Sequence, residues 1–197
     1  MVNDNFYQFV DLEELNIPNL LTLVPKENLL RRLITQSMYR ERQHGPTIQI
    51  NRVVKQPPKP TDPKWMGSVT WQIIQEVVKE ANYYAFRLHS RCWKIRFIGE
   101  SVDDCGGGYS DSIAEICEEL QNMNPDDQIP VLIPSPCTAD FEEKSSIEFI
   151  FRPMKEDDID SNMSLLFEFI GLLIGAAIRQ GSPLSLRRVF ILMLLRI

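Results

Sequence analysis

The sequence predicts an α+β fold, mostly helical, with a few short strands and one long buried apolar helix. Three observations predict it. Apolar residues recur at helical spacing in several stretches, short β-branched or alternating runs separate them, and Leu165–Ile178 is apolar apart from Glu168 and small residues. Of the 197 residues, 44% are hydrophobic and 24% charged, which suits a globular chain with one good core and is too short for two full domains.

Residues 1–45 read as a helical segment. Pro25 suits a first turn, where its missing N–H costs nothing, and Leu29, Leu30, Leu33, Ile34 and Met38 then recur at helical spacing up to Gly45-Pro46. Residues 46–64 read as a strand, Thr47–Val54, and a stiff connector with four prolines between Pro57 and Pro63. The main body runs over 65–186. It opens with a predicted helix over Trp65–Leu88, with Met66, Val69, Ile73, Val77, Ala81, Tyr84 and Leu88 on one face. Trp93–Ile98 alternates as a strand does, Ile95 and Phe97 opposing Lys94 and Arg96.

A tight turn at Gly106-Gly107-Gly108 is expected next, then a helix bearing Ile113, Ile116, Cys117 and Leu120. Ser110 with Asp111 in the first turn, or Ser112 with Glu115 as a capping box, would start that helix. Ile129–Ile133 and Ile147–Phe151 read as the strands of a long hairpin, and the acidic stretch Glu156–Asp160 leads into the apolar helix. Gly171 and Gly175, four apart, would let another helix approach closely. Residues 187–197 form an apolar tail.

A net charge of −6 and a pI near 5.0 argue against a nucleic-acid partner, which demands clustered Lys and Arg. The N-terminus lacks the basic and apolar regions of a signal peptide, and the scattered Cys92, Cys105, Cys117 and Cys137 form no C-x-x-C pair, so reduced thiols in a cytoplasmic protein are expected. His44 and His89 lie near no cysteine pair, which leaves zinc little to bind. Fourteen helical residues over Leu165–Ile178 would span about 21 Å, short of the roughly 30 Å of a bilayer core, so no membrane span is expected.

The candidate chemistry reads as structural. The triple glycine has no lysine at the P-loop position and lacks the third glycine of a dinucleotide fingerprint. Asp103, Asp104 and Asp111 lack the alternation and closing Glu of a calcium loop, and read as caps of helix and turn amides. Cys137, in Ser135-Pro136-Cys137-Thr138, has no histidine near it in sequence to lower its pKa. No catalytic, cofactor-binding or metal-ligating residue is assigned, and no cofactor is expected.

Three blocks in order nevertheless resemble a known family: His44–Val54 (HGPTIQINRVV), Trp93–Leu120 with FIGESVDDCGGGYSDSIAEICEEL, and Phe167–Leu186 (FEFIGLLIGAAIRQGSPLSL). They are similar to the opening part of the HECT domain of ubiquitin-protein ligases, and Asp103-Asp104-Cys105 before the glycines suggests the HERC-like subgroup. The resemblance implies that residues 65–186 are an incomplete HECT N-lobe. In the complete protein it implies ubiquitin, a ubiquitin-conjugating enzyme and protein substrates as partners, with ubiquitin passing through a catalytic-cysteine thioester. By the family's layout, the conjugating-enzyme-binding subdomain and the catalytic cysteine come after Leu186. Cys137-Thr138 reverses the family's Thr-Cys pair, so no catalytic residue carries over and this chain alone is expected to be inactive. Arg187-Arg188 and VFILMLL depart from the family pattern and read as a truncated or read-through terminus, or as a short tail docked on the core. The alternative reading is a non-catalytic interaction module or a dominant-negative truncated isoform.

Overall fold

The computed structural model describes residues 23–39, 45–78, 82–99, 107–136 and 147–186. Two compact units divide the chain, one ending at Met38 and the other beginning at Tyr39. In the first, helix α1 spans Leu23–Ser37 with Pro25 in its first turn, as the sequence predicts. Near its end, the Thr35 hydroxyl donates to Arg31 O (2.8 Å) and that of Ser37 to Ile34 O (2.7 Å).

The second unit is a mixed α+β fold. Strands β1 (Thr47–Ile50) and β2 (Lys94–Phe97) pair in parallel, with Ile48 opposite Ile95 and Ile50 opposite Phe97. Alternation along β2 follows the prediction: Ile95 is buried between exposed Lys94 and Arg96. Phe97 is half-buried, with the Arg52 guanidinium 4.2 Å above its ring.

Strand β1 stops four residues before the predicted end at Val54, and Asn51 is the reason. Its Oδ1 accepts from the amides of Val53 (3.1 Å) and Val54 (2.9 Å), an Asx turn that pulls the chain out of the strand. The Gln72 side chain meets the Asn51 backbone as a neighbouring strand would: Oε1 accepts from Asn51 N (2.8 Å), and Nε2 donates to Asn51 O (2.9 Å).

The helix predicted over Trp65–Leu88 is interrupted. A 3-10 turn, Lys64–Gly67, precedes α2 (Val69–Val77), and a second, Tyr83–Arg87, follows it; residues 79–81, with Ala81, lie outside the described residues. Gly67 lies against the backbone of Lys55 and Gln56, where a Cβ would come within 2.7 Å of their carbonyl carbons. Ser68 is extended and caps α2, its Oγ accepting from Trp71 N (3.1 Å). The predicted apolar face survives the breaks. Met66, Val69, Ile73, Val77 and Leu88 are buried, and Tyr84 is half-buried.

Gly107 and Gly108 do not form the expected turn. They begin helix α3 (Gly107–Leu120), which places Ser110 and Ser112 inside the helix rather than at its cap; Gly106 lies outside the described residues. A positive φ occurs instead at Gly99 (88°), just after β2. Ile116, Cys117 and Leu120 are buried and Ile113 is half-buried, as the helical spacing predicts.

Strands β3 (Leu132–Pro134) and β4 (Phe149–Phe151) pair antiparallel, Ile133 opposite Ile150, so the predicted hairpin strands do meet. A short 3-10 turn at Glu156–Asp158 then leads to α4, Ser161–Gln180. Asp160 caps α4 by accepting from Met163 N (2.7 Å), and Gly181 ends it in the left-handed conformation at φ 64°.

Two expectations for α4 need correcting. It is longer than its apolar run: its 20 residues span about 30 Å, so by length and composition it is able to cross a membrane, and the argument from shortness fails. It nevertheless packs along one stripe, with Met163, Leu166, Phe169, Ile170, Leu173 and Ala176 buried in the common core. The glycine pair is not a helix-packing notch among the described residues. Gly171 is exposed with open space at its Cβ position, and Gly175 faces the Arg179 side chain of its own helix (2.9 Å to Nη1).

The centre of the core is aromatic. Trp93, just before β2, lies 6.0 Å from Phe86, 5.3 Å from Tyr109 and 6.4 Å from Phe169, edge-on to the first two and stacked with the third, which joins the second 3-10 turn, α3 and α4 around one indole.

Candidate functional site

Two polar clusters carry the unusual chemistry of the described residues. The first joins α3 to the start of α2. Every helix begins with amides that have no partner within the helix, and the first two of α2 find theirs on a residue about fifty positions later. Glu119 Oε1 accepts from Val69 N (3.0 Å), and Oε2 accepts from Thr70 N (2.8 Å) and the Thr70 hydroxyl (2.7 Å). A carboxylate at this end also opposes the positive pole of the helix.

Lys55 completes the cluster, its Nζ lying 2.8 Å from both Glu115 Oε1 and Glu119 Oε1. Partial burial pulls the Lys55 pKa down, but hydrogen bonds and attraction from Glu115 and Glu119 outweigh it and hold the ammonium above its usual value. An open cleft of about 480 Å³ runs beside the cluster, lined by Lys55, Asp111, Glu115, Glu118, Glu119 and Asn122.

The second cluster is partly buried between the residues just before β2, α3 and the end of α4, with Cys92 at its buried end. The Tyr109 hydroxyl lies 3.2 Å from Gln180 Oε1 and 3.5 Å from Cys92 Sγ, and has one proton to donate between them. Gln180 Nε2 reaches Leu88 O (3.4 Å) and Cys92 Sγ (3.5 Å). Burial raises the Cys92 thiol, and hydrogen bonds from Tyr109 and Gln180 only partly oppose it. Burial likewise raises the Tyr109 phenol, reinforced by Cys92. Cys117 is raised by burial too, despite a hydrogen bond from the Ser185 backbone. A nucleophilic thiol needs its pKa lowered, so Cys92 and Cys117 are built as core residues.

Among residues weighed from sequence, Asp111 is exposed on the first half of α3 and borders the cleft, while His89 is exposed and away from it. His44, Asp103, Asp104, Cys105, Gly106, Cys137 and Thr138 lie outside the described residues. Among the described residues, no group of three or more His, Cys, Asp or Glu is placed to hold a metal. Sequence reasoning missed Glu119 and Lys55, and no local pattern marks either: each acts on a segment roughly fifty or more residues away.

The described residues therefore define an α+β scaffold whose polar groups clamp one element to another. Comparison with known proteins supplies the relationship. The chain is 38% identical over 164 residues to the E3 ubiquitin-protein ligase HERC2 of Homo sapiens, and 41% identical over 165 residues to that of Mus musculus. In each case the match covers 82% of this chain but 3% of the relative, so the chain is related to a small segment of these ligases. No protein-family model matches the chain, and no solved structure matches it.

Proposed function

We propose that this chain is a scaffold segment of a HECT-type ubiquitin ligase of the HERC-like subgroup, belonging to the lobe that positions the charged conjugating enzyme. The observation that carries the reading is the 38–41% identity to HERC2 ligases across 82% of the chain. The resemblance of Trp93–Leu120 to the HECT pattern adds the domain. The structure of that block supports a structural role: Trp93, just before β2, packs in the core with Tyr109 and Ser112 of α3, and α3 also supplies Glu119 to the start of α2. In the full ligase the partners are ubiquitin, a conjugating enzyme and protein substrates, and the setting is cytoplasmic. On this reading transfer belongs to the catalytic cysteine of the full ligase, and none of Cys92, Cys105, Cys117 and Cys137 is assigned that role.

The test is a thioester assay on residues 1–197 with activating enzyme, conjugating enzyme and ubiquitin. No reducible ubiquitin adduct is expected. An adduct that disappears in Cys137→Ser would overturn the scaffold reading. A pull-down of charged conjugating enzymes is expected to be empty as well, because the family's layout places their docking subdomain after Leu186.

A further inference from the structure

No further inference is drawn: the strongest candidate, the acidic cleft beside α3 lined by Asp111, Glu115, Glu118 and Lys55, is a cluster of carboxylates with no second observation in the structure that points to a ligand.

Discussion

Glu119 holds Thr70 by two bonds to a single oxygen: Oε2 accepts from the Thr70 amide at 2.8 Å and from its hydroxyl at 2.7 Å. The carboxylate lies on α3 and the amide opens α2, so this contact fixes the angle between two helices as well as capping one of them. Glu119→Ala strips partners from two amides, a hydroxyl and Lys55 together, and is expected to cost about 2 kcal/mol. Glu119→Gln keeps an acceptor but loses the charge, and is expected to cost less than the alanine. Urea unfolding midpoints of the two variants check the order, and equal midpoints would mean that the carboxylate is not the cap.

Glycine substitutions separate close packing from helix. At Gly67 a Cβ would press on the Lys55 and Gln56 backbone at 2.7 Å, so Gly67→Ala is expected to lose about 2–3 kcal/mol. Gly107 has open space around the same position and lies in α3, so Gly107→Ala is expected to be neutral or to gain up to about 1 kcal/mol. Thermal unfolding of both variants checks this. A large loss at Gly107 would restore the turn that the sequence suggested.

Ser112 and Trp93 should behave as a coupled pair. The Trp93 indole N–H donates to Ser112 Oγ at 3.2 Å in a fully buried setting, and Ser112 donates onward to Tyr109 O at 2.6 Å. Ser112→Ala leaves the indole proton unmatched and is expected to cost about 1–2 kcal/mol. In a Trp93→Phe background that donor is absent, so the added cost of Ser112→Ala should shrink. A double-mutant cycle measures this, and strict additivity would rule out the bond.

The buried thiols give a pH dependence of definite sign. Cys92 and Cys117 are both raised above the ordinary thiol value of 9.0 in the folded chain. Their contribution to stability is therefore fully present below that value, and is lost as pH climbs from it through the folded values, because the unfolded chain gives up its protons first. Tyr109 acts in the same direction from its ordinary 10.0 upward. Denaturant midpoints should fall as pH rises above about 9. At pH 8, peptide mapping after thiol labelling should find Cys92 and Cys117 protected until the chain is unfolded, and rapid native labelling of Cys92 would contradict its burial.

Elements whose information is local were legible in the sequence. The alternation around Ile95 gave β2, the spacing of Ile116, Cys117 and Leu120 gave α3, and the apolar run gave α4. The breaks around α2 were not, because the apolar face continues across them: Met66, Val69, Ile73 and Val77 keep one period through a 3-10 turn and a helix. At the first break, Gly67 lies against a backbone eleven or twelve residues earlier. The parallel pairing of β1 with β2 and the reach of Glu119 to α2 are also long-range, and no residue near either end announces them. The glycine block misled for a physical reason: glycine is permissive of turns but does not require them, and Gly107 and Gly108 adopt helical geometry.

The proposed role of this chain as a positioning segment of a ubiquitin ligase can be tested by exchange. Residues aligned with HERC2 replace the corresponding segment of a ligase-active HERC2 fragment, and ubiquitin thioester formation and transfer are followed beside a fragment with the segment deleted. The chimera is expected to fold and to retain most of its transfer activity, while the deletion loses it. A chimera that unfolds at the same temperature as the parent but transfers no ubiquitin would rule out a shared positioning role.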